Sequence, residues 1–87
     1  MGSIDPAGLS GWFDAYGRAL VLYARQWLTV EPAEDVVQEV FVRLLSQRRA
    51  PVNVKSWLFR SVRNAAVSRL RSEHRRRKAQ IRRSAGG

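Results

Sequence analysis

Apolar residues recur every three or four positions in the first third of the chain. An α-helix repeats about every 3.6 residues, so this spacing places them along one side of a helix. The stripe consists of Leu9, Trp12, Phe13, Tyr16, Leu20, Tyr23, Ala24 and Trp27. It predicts a first helix over about residues 9–28, with Asp5-Pro6 or Ser10 capping its start. Aromatic residues at this spacing, with few cations nearby, indicate a core-facing stripe rather than a platform for stacking bases.

A second helical pattern begins at Pro32, because proline suits the first turn of a helix and disfavours helix in the residue before it. This helix is predicted over about residues 32–47, with Glu39 paired to Arg43 one turn later. Its apolar side consists of Val36, Val37, Val40, Phe41 and Leu44, and its opposite side of Asp35, Gln38, Glu39 and Val42. Asp35 and Glu39 repel each other at this spacing, and an apolar residue, Val42, lies beside them. The unfavourable composition of this face raises the question of what it contacts.

A third helix is predicted from residue 54 to about residue 78. It follows a loop over residues 46–53, in which Pro51 stops the preceding helix and Asn53 is a suitable N-cap for the next one. Its buried side consists of Leu58, Phe59, Val62, Ala65, Ala66 and Leu70, and its polar side of Trp57, Arg60, Ser61, Asn64, Ser68, Arg71 and Arg75. The apolar periodicity is then lost. Residues 79–87 are therefore expected to form a disordered basic tail that starts a linker.

These patterns predict an all-α fold, a compact bundle of three main helices with a basic C-terminal tail. No strand-like alternation and no internal repeat is present in the sequence. Residues 9–78 are expected to form a single domain, preceded by a flexible N-terminus over residues 1–8 whose MGS opening resembles an expression tag. A chain of 87 residues buries a modest core, so a deep catalytic cleft is not expected.

Charge divides the chain into two unlike parts. Residues 1–47 carry three basic and six acidic side chains, a net charge of −3, whereas residues 48–87 carry thirteen basic side chains and one acidic one, a net charge of +12. The sum is the overall charge of +9. The basic part is suited to a polyanion such as nucleic acid. Phospholipid is a poorer match, because a membrane-surface helix needs a large apolar face and after Leu70 only Ile81 qualifies.

Catalytic, metal and membrane functions have little support in the sequence. The chain has no cysteine, and His74 is its only histidine, so neither a disulfide nor a zinc site is expected. Glu34, Asp35 and Glu39 have no apolar enclosure that would suit general acid–base chemistry. The longest apolar run, Ala19 to Ala24, is too short for a signal peptide or a membrane span. We expect no enzyme activity and no cofactor, and a soluble protein of a reducing, cytoplasmic compartment.

The polar side of the third helix is the best candidate for nucleic-acid binding. Arg60, Asn64 and Arg71 share one face, and their side chains match phosphates and base edges. Trp57 lies on the same side, where its indole either stacks on an unpaired base or packs at the rim of the core. The sequence leaves these two roles for Trp57 open.

Two blocks of the sequence resemble region 2 of bacterial sigma factors, most closely the extracytoplasmic-function (ECF) group of the sigma-70 family. The first is AEDVVQEVFVRLL, with its D-x-x-Q-E spacing of Asp35, Gln38 and Glu39. The second is VKSWLFRSVRNAAVSRLRSEHRRR, with W-L-F-R-x-x-x-N followed by a basic helix. The resemblance covers about residues 9–78.

The resemblance implies a role in transcription initiation for each block. In that family the first block docks on the clamp helices of the RNA polymerase β′ subunit, which implies that Asp35, Gln38, Glu39 and Val42 bind core polymerase. The second block recognises and melts the promoter −10 element, while the preceding loop captures a base of the single-stranded non-template strand. The implied DNA-binding residues are Arg48, Arg49, Asn53, Lys55, Trp57, Arg60, Ser61, Arg63, Asn64 and Arg71.

Members of the family commonly have an anti-sigma factor as a further partner. They also commonly continue into a second domain that reads the −35 element, and this sequence ends at Gly87 without supplying one. Two alternatives stay open. A basic nucleic-acid-binding protein without a polymerase partner would bind any duplex in a salt-dependent way. A pure interaction module would bind a partner protein through its acidic face, with the basic tail serving only as a solubilising extension.

Overall fold

The computed structural model describes residues 6–86, with side chains over residues 11–82. It contains three helices: α1 (Pro6–Ala24), α2 (Val30–Ser46) and α3 (Val54–Gly86). Each helix packs against the other two, and no strand occurs among residues 6–86. The predicted all-α fold of three helices is confirmed. Predictions for residues 1–5 and for residue 87 lie outside the described residues.

Helix α1 ends at Ala24, before the predicted end near residue 28. The chain tightens there, because the amides of Gln26 and Trp27 donate to the carbonyls three residues earlier, at 3.2 and 3.0 Å. Leu28, only 6% exposed, anchors the turn in the core. At the other end the helix begins at Pro6, so Ser10 lies inside the helix and is not its cap.

Helix α2 begins at Val30, two residues before the predicted start at Pro32. Thr29 is its N-cap residue, with an extended backbone and no side-chain capping bond, and its carbonyl accepts from the Ala33 amide at 3.0 Å. Pro32 is tolerated inside the first turn because amides in that turn have no intrahelical acceptor. The helix ends at Ser46, one residue before the predicted end.

Helix α3 begins as predicted, with Asn53 as its N-cap. Asn53 Oδ1 accepts a hydrogen bond from the Ser56 amide at 3.0 Å, and the Asn53 carbonyl accepts one from the Trp57 amide at 3.0 Å. The helix then continues to Gly86, past the predicted end near residue 78, so it covers residues for which a disordered tail was expected. Its exposed residues include good helix formers such as lysine, arginine, glutamine and alanine, which continue a helix without packing. With 33 residues it is about 50 Å long, which accounts for most of the 58 Å length of the molecule.

The core lies where the three helices meet. Its buried residues are Leu20, Ala24, Leu28, Ala33, Val36, Val37, Val40, Phe41, Leu44, Leu58, Val62 and Ala66. All five apolar residues predicted for α2 are among them, which confirms the orientation of that helix. Trp12, Tyr16, Tyr23, Trp27, Phe59 and Ala65 pack against this cluster from its rim.

Two predicted core residues are more exposed than expected. Phe13 is 45% exposed, because it covers the core from outside with its ring 5.0 Å from that of Phe41. Leu70 is 38% exposed, because it follows the last buried residue of α3, Ala66, by a full turn. The side chain of Leu9 lies outside the described residues. The aromatic stripe of α1 otherwise faces the core or its rim, as in the Tyr23–Phe59 contact at 5.3 Å between ring centroids.

Candidate docking face and nucleic-acid interface

The side of α2 opposite the core forms a continuous exposed surface. Asp35, Gln38, Glu39 and Val42 are all exposed, and we call these four residues the docking face. Val42 is 62% exposed even though it is apolar, whereas its neighbour Phe41 is 3% exposed. Helical geometry produces this contrast, because residues one position apart point about 100° away from each other. The predicted face is thus accessible to a partner over its whole length.

Leu45 extends the docking face and was not predicted from the sequence. It follows Val42 by three residues and Gln38 by seven, which places it on the same side of α2, and it is 42% exposed. The same helical spacing that identified Val42 would have identified it. Together, Val42 and Leu45 make the C-terminal end of the face apolar.

The N-terminal end of the same surface is acidic. Glu31, Glu34, Asp35 and Gln38 line a shallow depression of about 220 Å³. Among the residues that the structure describes, no group of three or more histidine, cysteine, aspartate or glutamate residues could hold a metal ion. The surface of α2 therefore combines carboxylates at one end with exposed aliphatic side chains at the other.

Arg69 of α3 reaches the start of this surface. Its Nη1 donates a hydrogen bond to the Pro32 carbonyl at 3.3 Å, and its Nη2 lies 3.8 Å from Asp35 Oδ2. Arg69 was not among the residues predicted from the sequence. The only signal in the sequence was its position four residues after Ala65 and seven after Val62, which places a cation on the core-facing side of α3.

The predicted ion pair between Glu39 and Arg43 is not formed. The ion pair found in the described part of the chain joins Asp35 to Arg69 instead. Arg43 and Glu39 lie along a groove of about 320 Å³ between α2 and α3, which is lined by Val36, Glu39, Arg43, Ala65, Ser68, Arg69, Ser72 and Arg76. The docking face is thus bordered by a basic, polar groove.

The loop between α2 and α3 exposes the predicted basic residues Arg48 and Arg49. It is fastened at its first end, where Ser46 Oγ donates to the Val42 carbonyl at 3.1 Å and Gln47 Nε2 donates to the Arg43 carbonyl at 3.2 Å. The second end is fixed by the N-cap of α3. Between these ends the side chain of Val52 is fully exposed. Anchored ends and accessible basic side chains suit this loop to contact a polyanion.

Asn53 was predicted from the sequence in two roles, as the N-cap of α3 and as a nucleic-acid-binding residue. It is exposed, as a residue in contact with nucleic acid must be, but its Oδ1 is occupied by the Ser56 amide. Its side-chain NH₂ group remains as the donor for an external partner. The amide nitrogen is thus available for a nucleic-acid contact that leaves the cap of α3 unchanged.

Most predicted nucleic-acid-binding residues of α3 lie on its solvent side. Lys55, Arg60, Arg63, Asn64 and Arg71 are exposed, and Ser61 is half-buried. Trp57 is also half-buried and packs against the core cluster from its rim. The indole therefore has a packed part and an accessible part. Packing at the rim is observed, and it leaves an accessible surface on which a base can stack.

The C-terminal part of α3 is a basic extension. Arg71, Arg75, Arg76, Arg77, Lys78 and Arg82 are all exposed. His74 lies among them, in an open depression of about 660 Å³ whose described lining is Ser68, Leu70, Arg71, His74 and Arg75. None of the helices, over the described residues, is long and apolar enough to cross a membrane. The exposed charge of this extension favours a polyanionic partner.

Comparison with known proteins identifies one family. The family model described as Sigma-70 region 2 matches residues 12–76 of the 87-residue chain. The match includes the docking face, the loop and the predicted nucleic-acid-binding residues of α3. No curated protein and no solved structure matches the chain.

Proposed function

The chain belongs to the sigma-70 region 2 family, the part of a sigma factor that serves RNA polymerase in promoter recognition, and we propose that it performs this role through two separate faces. The docking face of α2 binds the clamp helices of the β′ subunit. The loop and the solvent side of α3 bind and melt the −10 element. The observation that carries the proposal is that all four predicted residues of the docking face are exposed on α2 while the predicted cations are exposed on the loop and α3.

The composition of the docking face supports a protein partner. Exposed Val42 and Leu45 offer apolar area at one end, and Asp35 and Glu39 offer charge beside it. Protein interfaces commonly combine an apolar centre with charged groups that steer association and select the partner. A basic coiled-coil surface of the polymerase would complement these carboxylates. The like-charge repulsion within α2 is then relieved in the complex.

The proposed strand opening needs no catalysis. Extracting a base from a duplex costs a few kcal/mol, and a protein offsets this by holding the extruded base and the strand next to it. The loop with Arg48 and Arg49 supplies the pocket for the base, and Trp57 supplies a stacking surface one turn into α3. Arg60, Arg63 and Asn64 hold the backbone at the junction between double and single strand. Asn53, Lys55, Ser61 and Arg71 extend this contact.

Within the family we assign the chain to the ECF group, on the motifs W-L-F-R-x-x-x-N and D-x-x-Q-E. We further propose an anti-sigma factor as a third partner, which would inhibit the protein by covering one of its two faces. A sigma factor acts where the polymerase is, so the proposed location is the cytoplasm. The proposal includes no enzymatic step and no cofactor.

Pull-down of bacterial core polymerase by the tagged chain tests the docking half of the proposal. We expect the wild type to retain core polymerase and Glu39→Lys to lose most of it, because the variant reverses a charge within the proposed docking face. Asp14→Lys is the matched control, since Asp14 is an exposed carboxylate on α1. Equal retention by the wild type and by Glu39→Lys would refute the assigned docking face.

A second candidate is a general basic nucleic-acid-binding protein without a polymerase partner. The exposed basic extension of α3 favours it, since those cations alone would bind any duplex. The two candidates differ in DNA preference. The sigma-factor function predicts tighter binding to a single-stranded promoter-like −10 non-template strand than to a duplex of the same length. Comparable affinity for any duplex, together with no retention of polymerase, would favour the second candidate.

A further inference from the structure

Arg69 connects the two helices that carry the proposed interfaces. Its guanidinium group contacts Pro32 and Asp35, both in the first two turns of α2, from the middle of α3. The hydrogen bond to Pro32 joins residues that are 37 positions apart in the chain. The Arg69 side chain is 36% exposed and that of Asp35 is 63% exposed, so the pair lies at the edge of the α2–α3 contact.

The first turn of α2 lacks a side-chain N-cap bond. Thr29 occupies the N-cap position without a side-chain hydrogen bond, so the usual capping interaction is missing. The Pro32 carbonyl has a second lone pair beyond the one used within the helix, and Arg69 Nη1 donates to this carbonyl. Arg69 Nη2 also lies 3.8 Å from Asp35 Oδ2, so the guanidinium charge attracts the carboxylate toward α3. The planar guanidinium group suits such a double contact, because its donors are held in a fixed geometry.

We propose that Arg69 is a positioning residue for polymerase docking, which rests on the proposed function of the docking face. Arg69 holds the start of α2 against α3 and presents the Asp35 carboxylate in one orientation beside Gln38 and Glu39. Binding of a partner to this face then costs less side-chain conformational entropy, because the Asp35 side chain is already held near its bound position. Arg69 itself lies behind Asp35 and acts on the partner through it.

A double-mutant cycle on the full chain tests this role. The affinity for core polymerase is measured for the wild type, Asp35→Ala, Arg69→Ala and the double variant. We expect Arg69→Ala to weaken polymerase binding about two- to fivefold, in keeping with a partly exposed pair. In the Asp35→Ala background the same change should have no further effect, because the group on which Arg69 acts is gone.

Control measurements separate positioning from a general structural role. Arg18→Gln removes a charge from an exposed position of α1, outside both proposed interfaces, and should leave polymerase binding unchanged. Binding of the single-stranded −10 strand should be the same for the wild type and for Arg69→Ala. Arg69→Lys keeps the charge near Asp35 and should restore part of the affinity, and Arg69→Gln keeps only a donor for Pro32. If Arg69→Ala unfolds the domain, polymerase binding is compared between Arg69→Lys and Arg69→Gln instead.

The outcomes are distinguishable. A wild type that fails to bind polymerase refutes the proposed function and, with it, this role of Arg69. If Asp35→Ala weakens binding but Arg69→Ala does not, the proposed function survives and the positioning role is overturned. The positioning role is also overturned if the two losses simply add, or if Arg69→Ala reduces binding of polymerase and of single-stranded DNA by the same factor.

Discussion

Asn53 and Ser56 are joined by a hydrogen bond of 3.0 Å, from the Ser56 amide to Asn53 Oδ1. The bond caps α3 with a residue that the family resemblance also assigns to DNA binding. One side chain thus has a structural function through its oxygen and has its nitrogen available to a ligand. Substitutions at this position can separate the two functions.

Asn53→Ala is expected to lower the free energy of unfolding by about 1 kcal/mol, the usual cost of losing an N-cap. Asn53→Asp keeps an acceptor for the Ser56 amide and should retain that stability, but it places a negative charge in the loop that we propose to bind DNA. Urea unfolding and titration with the −10 strand measure the two effects. Equal stability of the alanine variant and the wild type would show that the cap contributes nothing.

Val42→Glu is expected to weaken polymerase binding about tenfold or more, because in the proposed docking mode it would bury a charge in an apolar contact. Leu45→Glu tests whether the apolar end of the face extends to that residue. The two side chains are 62% and 42% exposed, so neither variant should lower the melting temperature appreciably. Val40→Glu is the contrasting variant, because Val40 is fully buried and the charge should unfold the bundle.

Trp57→Ala is expected to weaken binding of the single-stranded −10 strand by about 1–3 kcal/mol, the range for loss of one stacked base. Binding of duplex DNA should change much less, because a paired base offers no free face. Trp12→Ala is the matched control, since Trp12 is also a half-buried indole at the core rim but lies on α1. Similar losses for single-stranded and duplex DNA would indicate that Trp57 only supports the fold.

Deletion of residues 79–87 is expected to reduce the salt dependence of duplex binding. The deletion removes Arg82 and Arg83, and the slope of log K against log salt concentration falls by about 0.9 for each phosphate that the protein no longer neutralises. The melting temperature should stay the same, because the described side chains of this segment, residues 79–82, are exposed. An unchanged slope would mean that this end of α3 does not bind DNA.

Gly17→Ala and Gly11→Ala are each expected to stabilise the domain by about 0.5–1 kcal/mol, because glycine is unfavourable inside a helix. A Cβ at Gly17 would lie 3.5 Å from the Phe13 ring, an ordinary contact distance, and a Cβ at Gly11 would meet nothing within 4 Å. Urea unfolding measures both changes. A destabilised Gly17→Ala variant would show that Phe13 cannot accommodate the added methyl group.

The sequence predicted α2 well because this helix is buried on one side and exposed on the other. Val36, Val37, Val40, Phe41 and Leu44 are all in the core, as the 3.6-residue period requires. The 3.6-residue recurrence of apolar residues predicted too early an end for α3. This recurrence indicates where a helix packs against a core, and a helix can continue beyond the part that packs. Beyond Leu70 there is no core to pack against, yet the helix continues to Gly86.

Contacts between helices could not be predicted from the sequence pattern. A local rule paired Glu39 with Arg43 one turn away, whereas the structure pairs Asp35 with Arg69 across two helices. Local rules describe neighbours within one helix, and Arg69 is a neighbour only once α2 and α3 have packed. The exposure of most predicted site residues was accessible to sequence reasoning because it follows from helical phase, whereas their assigned roles came from the family resemblance; Leu45 could have been identified as exposed by the same phase argument.

The continuity of α3 has a mechanical consequence. Leu58 and Val62 are buried in the core, and the cations from Arg71 to Arg82 lie on the same uninterrupted helix. Because no break in the helix separates the core residues from these cations, the packing of α3 in the bundle sets the direction of the basic extension relative to α2. We therefore expect a polyanion bound by the basic extension to lie along this direction, leading away from the three-helix core.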